Sequence, residues 1–157
     1  MRRGVRVGVD VGRARIGVSR SDPDGMLAVP VETVQRSANG SDLARIAELV
    51  TELDAVEAVV GLPLSLSGAH TASTDDAVEF ASRLAAACGI PIRLVDERLS
   101  TVSAQSALHA SGRTTRNSRS VVDQAAATVI LQHALDAERS SGRPLGELVD
   151  PSIGRSS

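Results

Sequence analysis

The sequence predicts an α/β fold in which helices flank a mixed five-stranded sheet, made of a three-strand antiparallel meander plus parallel strands. First, residues 5–35 contain three apolar runs that are separated by short turns, as in a meander. Second, helical patterns then alternate with short apolar strands, which is typical of parallel strands joined by crossovers. Third, residues 120–137 form a long apolar helical segment that we expect to pack on the sheet.

The first strand carries a single acidic residue, Asp10, near its end. Valines occupy every second position from 5 to 11, and Asp10 shares the other positions with Arg6 and Gly8. A carboxylate in an apolar strand is costly unless it is paired or binds a metal ion. The alternative is that Asp10 caps the next turn through its own backbone. Gly12, in that turn, is expected to adopt backbone angles closed to other residues and to let a ligand approach the main chain.

The next elements follow from short local signals. A second strand resumes at residues 16–18, and residues 27–35 form a third, which Pro30 assigns to the edge of the sheet because proline cannot donate to a ladder. After a turn at Asn39-Gly40, Ser41 is the candidate N-cap of a helix whose apolar residues recur at helical spacing as far as Leu53. Residues 55–61 then form a fourth strand.

The second half of the chain continues the alternation. Ser73 and Asp76 fit a capping box at the start of a second helix, which ends at Gly89. Residues 91–95 form a fifth strand that ends at Asp96 and Glu97. A third helix is predicted over 99–111, a polar loop with three arginines over 113–119, and the long helix over 120–137.

Composition excludes several classes of protein. The 157 residues suffice for one domain, which we assign to residues 1–139, with a flexible tail over 140–157. One cysteine, Cys88, excludes an internal disulfide and a cysteine-based zinc site, and one aromatic residue, Phe80, excludes a base-stacking platform. No apolar stretch has the length to span a bilayer, and no signal-peptide pattern opens the chain, so we expect a cytoplasmic protein with no membrane partner.

Charge is distributed unevenly along the chain. Residues 1–20 hold six arginines and one acid, residues 21–90 three arginines and eleven acids, and residues 91–123 five arginines and three acids. Basic charge therefore collects in the segments that also contain Asp10, Glu97 and Asp123, which favours a polyanionic partner. The alternative is that arginine merely replaces lysine on solvated faces.

The three acids Asp10, Glu97 and Asp123 are expected to converge if the first strand is central. Three carboxylates without histidine or cysteine suit Mg²⁺ or Mn²⁺, hard ions that prefer oxygen ligands. Such ions can activate a water for attack on a phosphodiester, which indicates a nuclease. For Asp123, a capping box with Ser120 is an alternative of equal weight.

The chain resembles the YqgF/RuvX family of ribonuclease H-like nucleases over residues 4–137. Four motifs in the expected order carry the resemblance: Asp10-Val11-Gly12 with Arg15-Ile16-Gly17; Val59-Val60-Gly61-Leu62-Pro63 with Gly68; Val95-Asp96-Glu97-Arg98 with Ser100-Thr101; and Asp123 with Ala125-Ala126. The resemblance implies a ribonuclease H-like fold, metal-dependent cleavage of nucleic acid and a role in maturing the 5′ end of precursor 16S ribosomal RNA. Members have also been proposed to resolve Holliday junctions.

The resemblance also implies that Asp10, Glu97 and Asp123 are the catalytic, metal-binding acids. Alternation along the fifth strand puts Asp96 and Glu97 on opposite faces but does not say which face looks toward Asp10. The resemblance selects Glu97 as the ligand. Arg13 and Ala14 fill a turn in which relatives often have Thr-Lys, and the loop over 113–119 replaces a more lysine-rich one, so the substrate contacts there are open.

Binding of structured RNA or branched DNA is expected to depend on phosphate contacts, because aromatic residues are scarce. The residues predicted to bind substrate are Gly12, Arg13, Arg15, Arg98, Arg113, Arg116 and Arg119.

Two other classes of function compete with a nuclease. Actin-like ATPases and sugar kinases share this kind of fold and a D-x-G turn, but they need two such domains and this chain has the length of one. A binding module that keeps the fold without catalysis is the other, and the presence of all three acids argues against it. The sequence leaves a homodimer open.

Overall fold

The computed structural model describes residues 3–65, 67–96 and 118–149. Its elements are β1 (Arg6–Val11), β2 (Arg15–Ser21), β3 (Ala28–Gln35), α1 (Ser41–Glu52), β4 (Glu57–Leu62), α2 (Ala72–Cys88), β5 (Ile92–Asp96), α3 (Ser118–Ser141) and β6 (Glu147–Leu148). They form one mixed sheet with the strand order β3-β2-β1-β4-β5-β6. The predicted α/β architecture is confirmed.

Strand β1 lies inside the sheet, as the sequence predicts. It pairs antiparallel with β2 and parallel with β4, and β4 pairs parallel with β5. Strand β3 is the edge strand, in agreement with the position of Pro30, and the ladder between β2 and β3 shifts register beside Ser19, the partner of Pro30. The parallel strands β1, β4 and β5 therefore present their carboxyl ends, including Asp10, at one edge of the sheet.

The predicted count of five strands is wrong, because β6 adds a sixth. Glu147 pairs antiparallel with Leu94, and the Val149 amide donates to the Ile92 carbonyl at 2.8 Å. The side chain of Val149 is buried. Residues 147–149, which the sequence assigns to a flexible tail, therefore pack on the domain. The sequence does not predict this strand because two residues are too few to show alternation.

Helices cover both faces of the sheet. One face carries α1 and α2, whose Ile46, Phe80 and Leu84 pack with Val7 and Val9 of β1. The other face carries α3, which packs Ile130 and Leu131 on Val59 and Val95. Alternation along β1 therefore turns Arg6, Gly8 and Asp10 toward α3.

Three helix starts differ from their predicted positions, the first two in α1 and α2. The N-cap of α1 is Gly40, in the left-handed conformation (φ 84°), so that Ser41 is already helical. The capping box of α2 is formed by Thr71 and Thr74, not by Ser73 and Asp76, because the helix begins at Ala72.

The third difference is in α3. This helix includes Ser118, so Ser120 is inside it and cannot form the N-terminal capping box predicted with Asp123. The helix predicted over 99–111 and the polar loop up to residue 117 lie outside the described residues. Within the part of the chain that the structure describes, no helix is both long and apolar enough to cross a membrane.

Candidate active site

Asp10 lies near the end of β1, on the face covered by α3. It pairs across the ladder with Gly17 of β2 and is partly buried. Its neighbour Val9 points the other way, into the core beneath α1 and α2. A rigid central strand thus fixes the backbone of Asp10, and its carboxylate stands beside the place where α3 crosses the sheet.

Two glycines let α3 approach the sheet closely. A Cβ atom on Gly17 would lie 1.9 Å from the carbonyl oxygen of Asp123, and one on Gly8 would lie 2.7 Å from the carbonyl oxygen of Ala127. Distances of this size exclude any side chain at either position unless the helix moves. Because Gly17 is the ladder partner of Asp10, this close approach brings Asp123 next to Asp10.

An ion pair orients the side chain of Asp123. The Arg15 Nε donates to the Asp123 Oδ2 at 2.8 Å, and both side chains are partly buried. A charge-assisted bond of this length orients the carboxylate. Arg15 was predicted to bind substrate, and the structure gives it this contact with a candidate catalytic acid.

The turn between β1 and β2 needs glycine at position 12, because there is no space for a side chain. The Gly12 amide donates to the Arg15 carbonyl at 2.9 Å, and a Cβ on Gly12 would lie 2.6 Å from that same oxygen. The φ of Gly12 is not in the left-handed region, so the expected special backbone angles are wrong and close packing is the reason for the glycine. Arg13 is exposed at the tip of this turn.

Arg36 is a residue that the sequence analysis missed. Its Nη1 donates to the Gly12 carbonyl at 2.9 Å, and its guanidinium makes two bonds to the Asp76 carboxylate, at 2.8 and 3.0 Å. It thereby joins the turn to α2. A single arginine after an edge strand forms no sequence motif, so the sequence does not indicate that the fold brings it to the turn.

The face of the sheet on which Asp96 lies can now be assigned. Val95 packs against α3, whereas Leu94 packs toward α2, so Asp96 belongs to the face opposite Asp10. Asp96 also lines a cavity of about 460 Å³ at the carboxyl ends of β4 and β5, which extends from Leu62 of β4 to His133 of α3. Glu97 lies outside the described residues.

The comparisons with known proteins identify the family. The family described as RuvX: Holliday junction resolvase matches residues 4–137. The chain belongs to the RuvX family. The resemblance found in its sequence motifs is thereby confirmed.

Relatives of the RuvX chain agree over nearly its whole length. A protein of Leifsonia xyli subsp. xyli is 65% identical over 98% of this chain and 99% of its own. One of Clavibacter michiganensis subsp. michiganensis is 63% identical over 95% of this chain and 93% of its own. Both carry the provisional name pre-16S rRNA nuclease.

A solved structure shares the RuvX fold at low identity. Thermus thermophilus RuvC in complex with Holliday junction substrate superposes with a TM-score of 0.58 at 19% identity, over 90% of this chain and 99% of that one. This similarity confirms the predicted ribonuclease H-like fold.

The residues present fit a hard divalent cation in this RuvX chain. Asp10 and Asp123 offer carboxylate oxygens on one face of the sheet, and such ions prefer oxygen ligands. Across residues 3–65, 67–96 and 118–149 no three acidic, histidine or cysteine side chains form a metal-binding group, and the third predicted ligand, Glu97, falls outside those ranges.

The structure does not describe the side chains of the remaining predicted site residues. Arg98, Arg113 and Arg116 belong to segments that the structure does not describe, and of Arg119 it gives the helical backbone alone. Cys88 packs beside the core of the RuvX domain, and burial raises the pKa of its thiol to about 11, so the thiol is protonated at neutral pH.

Proposed function

We propose that this chain is a divalent-metal-dependent endonuclease that matures the 5′ end of precursor 16S ribosomal RNA. The observation that carries the proposal is the placement of Asp10 and Asp123 on the same face of the sheet, held together by the contact of α3 with Gly17. The names of relatives at 65% and 63% identity support this substrate. Because ribosomes mature in the bacterial cytoplasm, the proposal also places the protein there.

Mg²⁺ or Mn²⁺ would be held by Asp10, Asp123 and Glu97. Such an ion, when bound, supplies Lewis-acid activation of a water and of the scissile phosphate. The position of Asp96 on the opposite face supports Glu97, the next acid in the sequence, as the third ligand.

The chain's own residues position the charges of the site. Arg15 holds the Asp123 carboxylate and partly offsets its negative charge, which lowers repulsion between the two acids. Arg13, exposed at the tip of the turn, can reach a phosphate of the substrate backbone. The rigid strand under Asp10 limits how far the acids move when a polyanion binds.

Cleavage of branched DNA is the second candidate, because the family is described as Holliday junction resolvases and its fold relative was solved on such a junction. The proposed test supplies the purified chain with Mn²⁺ and either precursor 16S RNA or a four-way DNA junction. We expect cutting of the RNA near the mature 5′ end, and we expect EDTA to stop it by removing the ion. Cutting of the junction alone would reassign the substrate, and cutting of neither would refute nuclease function.

Substrate affinity should depend steeply on salt. Arg113, Arg116 and Arg119 are proposed to bind phosphates, and each such interaction releases counterions, so that log affinity falls linearly with log salt. Replacing all three with serine should reduce the slope by about one unit for each phosphate interaction that is removed, with little change in sequence preference. Filter binding across a salt series measures the slope. An unchanged slope and affinity would show that these arginines do not touch the substrate.

A further inference from the structure

We propose that Arg36 is a positioning residue, which holds the turn after β1, and through it the carboxylate of Asp10, in the geometry that the active site uses. The turn comprises residues 12–14, between β1 and β2, and begins two residues after Asp10. The inference rests on the proposed function for its kinetic test alone. Its structural part stands on contacts that do not involve a metal ion or substrate.

Arg36 binds the turn at two points. Its backbone amide donates to the Ala14 carbonyl at 3.0 Å, and its Nη1 donates to the Gly12 carbonyl at 2.9 Å. Both acceptors are backbone atoms of the turn, so a movement of Arg36 must move the turn or break these bonds. Arg15, at the end of the turn, binds Asp123 of α3 instead.

Three groups on α1 and α2 fix the guanidinium of Arg36. Asp76 binds it with both carboxylate oxygens, Asp42 lies 3.5 Å from its Nε, and the ring of Phe80 lies 5.2 Å from its central carbon. The pKa of Asp76 lies below its usual range, chiefly because Arg36 donates to it, so the pair is ionised at neutral pH. Bidentate bonds and a ring contact together leave the planar guanidinium little freedom.

The turn is therefore clamped from both faces of the sheet. On the α3 face Arg15 pairs with Asp123, and on the opposite face Arg36 pairs with Asp76. Each pair ties one side of the turn to a different helix. Removal of the Arg36–Asp76 pair would leave the turn held by Arg15 on the α3 side and, on the other side, by the backbone bond from Arg36 to Ala14 alone, so the end of β1 would be freer to shift.

The test compares Arg36→Lys with Arg45→Lys in the full chain. Lysine keeps the charge but cannot bind two carboxylate oxygens and the Gly12 carbonyl together. Arg45 is the matched control, because it also makes two bonds to one carboxylate, that of Glu32, at 2.9 and 2.8 Å, and does not touch the turn. Asp76→Asn is the second variant, because it removes the anchor and leaves Arg36 in place.

Hydrogen exchange and metal titration give the readouts that do not need cleavage. We expect the Gly12 amide to exchange at least about tenfold faster in Arg36→Lys and Asp76→Asn, because each variant has fewer charge-assisted bonds that hold the turn. We also expect Mn²⁺ to bind these two variants more weakly. In cleavage we expect kcat to fall by roughly 10- to 100-fold, the range for slight misplacement of reacting groups, with little change in KM. Arg45→Lys should leave all of these at wild-type values.

Exchange and Mn²⁺ affinity equal to those of Arg45→Lys would overturn the positioning role. So would faster exchange at Gly12 with unchanged kcat in an active enzyme. A wild-type chain without cleavage would refute the proposed function instead, and the exchange and Mn²⁺ comparison would still decide whether Arg36 positions the turn and Asp10.

Discussion

Asp10→Asn is expected to abolish cleavage while the domain stays folded. The amide keeps the size of the carboxylate but has no negative charge, so it binds Mg²⁺ or Mn²⁺ poorly. Removal of an outer partner of a metal ligand costs about 10- to 100-fold, so removal of a ligand should reduce the rate further, on the order of 10³-fold. Cleavage of precursor RNA, with thermal unfolding measured in parallel, tests this expectation.

The neighbouring acids Asp96 and Glu97 supply a matched pair of controls for that experiment. Glu97→Gln should reduce cleavage as Asp10→Asn does, whereas Asp96→Asn should stay near the wild-type rate because Asp96 belongs to the opposite face of the sheet. Loss of activity in Asp96→Asn with retention in Glu97→Gln would exchange the two roles. Wild-type cleavage by Asp10→Asn, free of contaminating nuclease, would contradict the whole metal-site assignment.

The sequence predicts most of the sheet, because its strands either form continuous apolar runs, buried on both faces, or alternate apolar and polar residues. Alternation of the valines in β1 assigns Asp10 to the face opposite the core of α1 and α2, and Pro30 identifies the edge. The sixth strand could not be found in this way, because two residues show no period. Helix starts were misplaced by one or two residues, since several neighbouring polar side chains could serve equally well as caps.

The acids of the site could be predicted from the sequence, whereas the residues that hold them and the neighbouring turn could not. A carboxylate in an apolar strand is visible in the sequence because it violates the pattern. The contacts of Arg36 and Arg15 with Asp76 and Asp123 join residues 40 and 108 positions apart, and no local pattern indicates such pairs. The reason for Gly12 also emerges from the close approach of Arg15 in space, not from its own backbone angles.

Glu138→Gln is expected to lower the free energy of unfolding by about 3–5 kcal/mol, the usual cost of breaking a buried ion pair from one side. Glu138 of α3 accepts from the Arg6 Nη2 at 3.0 Å, and the two residues are 6% and 2% exposed. Glutamine keeps the shape of the side chain but leaves the Arg6 charge without its carboxylate partner on α3. Urea unfolding followed by circular dichroism measures the decrease.

The cost should be large because both members of the pair are buried beneath α3, beside two further charges, Glu57 and the partly buried Arg93. Glu57, 3% exposed, pairs in the ladder with Arg6 and accepts from the Arg93 Nε at 3.0 Å. The exposed pair Arg3–Asp24 is the control, and Arg3→Gln should cost at most about 1 kcal/mol. Equal effects of the two variants would show that water reaches the Arg6–Glu138 pair.

A double replacement separates the net contribution of the ion pair to stability from the cost of removing one of its partners. Arg6→Met with Glu138→Leu removes both charges and fills the space with apolar atoms, so stability should return close to that of the wild type. Since Arg6 begins β1 and Asp10 stands near its other end, cleavage below the unfolding transition should be unchanged in this variant. A double variant as unstable as Glu138→Gln would mean that the charges themselves, and not merely their mutual compensation, hold α3 on the sheet.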